Sequence, residues 1–161
     1  MTKSSFLLVF FLFFSMASLG QTADVKAKPL TADDIKILQA DVQVSKDQII
    51  KHTMEFTDAE SAAFWPVYME YAKAQHTIAD KRLALITDYA HSLESMDNTK
   101  AHALTQQLFQ IEDETLALRK SYFPKFEKAL GAKRAAKFCQ VDNRLSMIVN
   151  MQLAAEVPLV P

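Results

Sequence analysis

His76 and Asp80 stand one helical turn apart, as do Met147 and Met151. The first pair has the donor types and spacing for half a zinc site, and the second offers two thioethers to a soft ion such as Cu(I). Each set is incomplete: none of the four histidines has another at i+3 or i+4. The ordinary roles of such pairs are a solvated helix-face contact and apolar filler, so no metal site and no cofactor is expected. Nucleophilic catalysis needs a base beside the nucleophile and oxyanion donors, often from glycine-containing turns. No Ser, Cys or His has those neighbours, and beyond residue 20 the only glycine is Gly131. Phosphate-cradling loops are excluded on the same ground. The residues point away from an enzyme.

What remains is charge and apolar surface. Arg119, Lys120, Lys125, Lys128, Lys133, Arg134 and Lys137 form a basic run relieved by Glu127, with Glu112-Asp113-Glu114 just upstream. A basic patch of this kind suits an acidic partner, whether an unfolded chain, a membrane headgroup or a sensor domain. The net charge of -1 gives no field that would select nucleic acid. Two aromatic segments share a pattern, Phe64-Trp65-Pro66-Val67-Tyr68 and Tyr122-Phe123-Pro124-Lys125-Phe126. We take Phe64, Trp65, Tyr68, Tyr122, Phe123 and Phe126, with Arg119, Lys120, Lys133, Arg134 and Lys137, as the candidate partner-binding residues.

The elements that must position these groups are helices. Thr31 is placed to cap a first helix over 32–54, whose stripe (Ile35, Leu38, Val42, Ile49, Ile50) weakens near Val44-Ser45, where a break is expected. Thr57 and Glu60 make a capping box at the head of a second helix over 57–94, about 55 Å long. Its apolar face runs through Phe64, Tyr68, Tyr71, Ile78, Leu85 and Tyr89 at steps of three, four and seven. Pro66 falls inside it and is expected to bend it. Asn98 is placed to cap a third helix carrying Leu104, Leu108, Ile111, Thr115, Leu118 and Tyr122, with Pro124 inside and Gly131 as a left-handed C-cap. A fourth helix over 132–155 shows Phe138, Val141, Leu145, Ile148 and Gln152. The fold expected is all-α: a long antiparallel hairpin, proline-bent, with flanking N- and C-terminal helices and short loops. If the second and third helices pair antiparallel, the two Pro-centred segments meet at one end and their aromatics form one cluster.

The ends read differently. Residues 1–20 have the form of a signal peptide, with Lys3, an unbroken apolar run over 6–14 and Ser18-Leu19-Gly20 before a cleavage point at Gln21. The run is too short for a permanent membrane anchor, so a periplasmic or secreted protein is expected. Residues 21–30 read as a flexible leader, 31–155 as the helical domain, and 156–161 as an extended, proline-bounded tail. Cys139 is alone in the chain and reads as a small buried residue. Helices this long have much surface for their volume, so apolar stripes should stay open. A homodimer covers them most simply; a surface for other proteins' exposed segments is the other outcome.

With the segments in this order, the chain resembles the Spy/CpxP group of small periplasmic proteins. Phe56-Thr57-Asp58-Ala59-Glu60 followed by Phe64 is similar to that group's Leu-Thr-x-x-Gln helix starts, with Glu60 in the Gln position. Leu130-Gly131-Ala132-Lys133-Arg134 followed by Phe138 resembles the second such place. The two Pro-centred segments are closer to uncharacterised secreted relatives beside the group. The resemblance implies a curved, often dimeric helical protein that acts as an ATP-independent chaperone for unfolded clients or as a regulatory partner of a membrane stress sensor, with some relatives linked to metal stress.

Overall fold

The computed structural model describes residues 32–160, with side chains except those of 32–42, 152, 155 and 156. The export segment, the leader, Thr31, Pro161 and the side chains of Ile35, Leu38, Val42 and Gln152 lie outside what it describes. The chain forms α1 (Ala32–Met54), α2 (Asp58–Ser92), a single 3-10 turn (Leu93–Ser95), α3 (Asn98–Leu130) and α4 (Ala132–Glu156). Among the described residues there is no strand, and no helix is long and apolar enough to cross a membrane. The fold is the all-α arrangement that the periodicity predicts.

Local chemistry explains most of the boundaries. The Thr57 hydroxyl accepts from the Glu60 amide at 3.3 Å, and the Glu60 carboxylate accepts from the Thr57 amide at 2.9 Å, a complete capping box. These hydrogen bonds, with Arg134 nearby, hold the Glu60 carboxyl below the usual carboxylate range. α3 starts differently from expectation. Asp97, not Asn98, is the cap, and its carboxylate accepts from the Lys100 amide at 2.7 Å. α1 runs unbroken through Val44-Ser45, because no residue there removes a backbone donor and its C-terminal half is held by contacts with α4. Glu55 ends it with a positive φ of 48°.

α2 and α3 continue through Pro66 and Pro124. The residues four positions earlier, Ala62 and Lys120, are exposed, so the carbonyls that lose a partner lie on the solvent side. Gly131 caps α3 by donating its N–H to the Glu127 carbonyl at 2.8 Å. Its φ of 75° is positive as expected, but its ψ of 156° is extended rather than left-handed helical. That combination is open almost only to glycine. A Cβ at Gly131 would meet nothing within 4 Å, so the dihedral alone sets the requirement.

α2 and α3 pair antiparallel, joined near one end by the Phe64 and Phe126 rings (5.6 Å) and near the other by Lys100 and Asp88 (2.7 Å). α4 turns back on α3 after Gly131 and also packs against α1. The core sits where all four helices meet. Ile50, Met54, Phe64, Tyr68, Tyr71, Phe126, Ala135 and Phe138 are buried there. Farther along the hairpin only Leu104 and Ile111 are buried. On α4 the inward stripe is Ala135, Phe138 and Asp142, with Val149 partly covered, while Ile148 is half exposed. The sequence stripe through Ile148 follows a row that drifts off the inner face, since alternating steps of three and four average less than a 3.6-residue turn.

Candidate functional site

The two Pro-centred segments do come together, and their aromatics do form one cluster. Phe64 lies 4.9 Å from Phe138 edge-on and 5.4 Å from Tyr68 in a stack; Phe126 lies 4.5 Å from Phe138 and 5.5 Å from Tyr71. Ring pairs at such distances gain from both area and quadrupole. The cluster is the centre of the core rather than a surface. Phe64, Tyr68 and Phe126 are buried and leave nothing for a partner to touch. That corrects their assignment as partner-binding residues: α1 and α4 pack over the cluster, with Ile50, Met54, Ala135 and Phe138, and cover it. Trp65, Tyr122 and Phe123 pack on the rim and remain partly open.

The basic run is also divided. The Arg134 guanidinium donates to the Met54 carbonyl at 2.7 Å and pairs with Glu60 at 2.6 Å, and the Lys137 ammonium donates to the Thr53 carbonyl at 2.7 Å. Both cations therefore cap the C-terminal end of α1, where unpaired carbonyls and the helix dipole favour positive charge. Arg119 lies 3.9 Å from Asp142. Lys125 sits over the Tyr122 ring at 4.0 Å and lies 3.6 Å from Glu70. Lys120 and Lys133 stay exposed. The residues expected to form one patch for an acidic partner are mostly engaged within the chain, because the run spans a helix reversal at Gly131 and its members face different neighbours.

Sequence reasoning missed a polar junction. Asp142 is 2% exposed, in line with Phe138 and Ala135 on the inner face of α4. It accepts from the Tyr71 hydroxyl at 2.8 Å and from the Gln75 amide at 3.3 Å, and pairs with the Lys46 ammonium at 2.8 Å. Lys46 also donates to the Gln75 side chain at 2.7 Å. Beside it, the Tyr68 hydroxyl donates to Asp47 at 2.8 Å, and Gln43 donates to both. α1, α2 and α4 are thus tied by one set of hydrogen bonds, with Arg119 of α3 at its edge. Burial, then the carboxylates they face, push both the Tyr68 and Tyr71 hydroxyls well above the ordinary tyrosine range. The only signal in the sequence is that Asp142 occupies a position between apolar neighbours at helical spacing, which names no partner.

The chemistry of this junction is that of a lock. A general base must reach a substrate proton, and Asp142 is enclosed by its own partners. Cys139 lies at the margin of the same core; burial first, and the nearby Asp142 charge, raise its thiol above the usual range. A thiol so raised is a poor nucleophile. Among the described residues no group of three or more His, Cys, Asp and Glu side chains could hold a metal ion. His76 and Asp80 are 3.9 Å apart and exposed. Met147 accepts from the Asn143 amide at 3.6 Å.

The open apolar surface lies elsewhere. On the outer face of α4, Met147 and Met151 are 61% and 69% exposed, with Ile148 beside them. On the flank of α3, Phe109 and Leu116 are 52% and 50% exposed. The tail from Val157 carries the exposed Leu159 and is held at its start by the Tyr89 hydroxyl, which donates to the Pro158 carbonyl at 2.8 Å. No protein-family model matches this chain, and no curated protein or solved structure matches it, so the likeness to the Spy/CpxP group rests on the residues quoted for it.

Proposed function

We propose that the protein is a non-enzymatic, chaperone-like binding protein of the periplasm, exported by residues 1–20, which holds exposed apolar segments of other proteins without ATP. The observation that carries this reading is the exposed Met147, Ile148 and Met151 face of α4. Methionine is unbranched and polarizable, and a surface built on it can adapt to clients of different shape. Exposed apolar patches on a small protein mark interaction sites more often than they mark nothing. The enclosure of Asp142 and the raised thiol of Cys139 support a role in binding over one in catalysis.

The test is aggregation of a denatured client followed by light scattering. The purified protein is expected to suppress it at equimolar ratio, and a Met147→Gln/Ile148→Gln/Met151→Gln variant is expected to lose the effect while keeping its helical circular dichroism. No suppression by the unaltered protein at tenfold excess would sink the reading. Capture of a single membrane sensor from envelope extract, with denatured clients ignored, would replace it by that of a regulatory partner. Fractionation tests the location: recovery of the unprocessed chain from the cytosol contradicts export.

A further inference from the structure

We infer that Met147 and Met151 form an oxidation switch: a peroxide converts their thioethers to sulfoxides, and the open face of α4 turns from apolar to polar and releases what it holds. This adds a modification site and a means of regulation to that face, and it rests on the binding role proposed above. Beyond residue 20 the chain has five methionines, Met54, Met69, Met96, Met147 and Met151. Met54 is fully buried in the core, and Met96 is partly covered. Met69, Met147 and Met151 are each exposed by 60% or more. Met69 stands by itself on α2, with the exposed Glu70 and Lys73 as neighbours. Met147 and Met151 share one face of α4, a single turn apart, with the half-exposed Ile148 beside them. Two oxidisable groups therefore make up most of the surface that carries the proposed function.

In the reaction a sulfur lone pair attacks one oxygen of the peroxide and the O–O bond breaks. That oxygen stays on sulfur, and the other leaves as water. Sulfur gives up two electrons, and the peroxide takes them. The product side chain is polar, so the adaptable apolar packing of a methionine surface is lost. The fold is spared. Ala135, Phe138 and Leu145, which hold α4 to the core, carry no sulfur, and Met54 has no exposed surface. The Asn143 amide already donates to the Met147 sulfur at 3.6 Å, although a thioether is a weak acceptor. A sulfoxide oxygen there is a stronger one, so the oxidised side chain finds a polar partner on its own helix. Cys139, the remaining sulfur, is partly covered, and its raised thiol stays protonated, the unreactive form. The change is reversible: a methionine sulfoxide reductase removes the oxygen with a dithiol, leaving thioether, disulfide and water.

The test treats the purified protein with excess hydrogen peroxide, removes the peroxide, and measures suppression of client aggregation before and after. Peptide mass spectrometry is expected to find one added oxygen on each of Met69, Met147 and Met151 well before Met54. The protein concentration that halves aggregation is expected to rise about tenfold, with helical circular dichroism unchanged. Methionine sulfoxide reductases for both epimers, supplied with dithiothreitol, are expected to restore the starting value. Met147→Leu/Met151→Leu keeps the face apolar and inert to peroxide, so it is expected to suppress equally before and after treatment. Met69→Leu and Cys139→Ser are expected to switch as the unaltered chain does. Full suppression by the oxidised chain, or an equal loss in Met147→Leu/Met151→Leu, would overturn the switch and leave the binding role standing. So would helicity lost in step with suppression, which is unfolding. No suppression before treatment would overturn the binding role and the switch with it.

Discussion

The two ends of the α2–α3 hairpin are built on different principles. At the end near Phe64 and Phe126, four helices converge and bury a continuous aromatic cluster with the Asp142 junction beside it. At the other end, beyond about Ile78, the same two helices run on with Leu104 and Ile111 as their buried residues. Ion pairs at the surface also cross between the helices there, Lys81 with Glu114 at 2.7 Å and Lys100 with Asp88 at 2.7 Å. Exposed pairs of this kind contribute little to stability, whereas a buried ring contributes several kcal/mol. The difference teaches that one end stabilises the fold and the other is held out from it, leaving the Phe109 and Leu116 flank open.

The largest expected effect comes from the aromatic end. Phe64→Ala should cost about 3 to 5 kcal/mol in denaturant unfolding, the usual range for a fully buried ring. A comparable substitution at the far end, Ile111→Ala, should cost about 2 kcal/mol, at the low limit for a buried aliphatic residue with few neighbours. Equal losses at the two positions would break the contrast.

Next comes the junction. Asp142→Ala leaves Lys46 without its carboxylate and Tyr71 without its acceptor, and should cost about 3 kcal/mol or more, because an uncompensated buried charge is left behind. A loss below about 1 kcal/mol, the value for a surface group, would show that the junction is open to water.

The tyrosines sharpen the same point through pH. Their folded pKa values are raised above the ordinary 10.0, so the unfolded chain releases protons first as pH rises. Their contribution is fully present below about pH 10 and is lost as pH rises above it. Two of the four tyrosines should therefore ionise only when the chain unfolds, and Tyr71→Phe should reduce the alkaline slope of stability by about one proton. Tyrosinate absorbance that completes its rise while the helices remain intact would contradict this.

The smallest effect belongs to the far end. Lys81 and Lys100 hold the carboxyls of Glu114 and Asp88 below the usual range, chiefly by hydrogen bonding. Carboxyls so lowered support the fold above the ordinary carboxylate range, and the support fades as pH falls through their folded values. These groups are open to solvent, so Lys81→Met is expected to leave the unfolding midpoint at pH 7 within experimental error. A clear drop would mean that the ion pairs, and not Leu104 and Ile111, hold that end.

Much of this contrast is visible in the residues, and the part that is not has a physical cause. The Thr57–Glu60 capping box and the Leu104–Ile111–Leu118 stripe are local patterns, and local patterns survive folding. The meeting of Phe64 with Phe126 follows once α2 and α3 are paired antiparallel. Whether that cluster is covered depends on α1 and α4, whose packing no single-chain periodicity specifies, so Phe64, Tyr68 and Phe126 read as surface when they are core. Asp142 was hidden because its partners lie on other helices, at Tyr71 and Lys46. Arg134 and Lys137 read as part of a charged patch because the carbonyls they cap, at Met54 and Thr53, are about eighty residues away in sequence. Asp97 and Asn98 are both good caps, and only the geometry separates them.

Native-state hydrogen exchange, read residue by residue, tests the central contrast most directly. Amides of 62–75, 119–128 and 135–145 should exchange only through global unfolding, while those of 80–92 and 98–110 should exchange through an opening of markedly lower free energy. Uniform protection along the whole length of α2 and α3 would contradict the account.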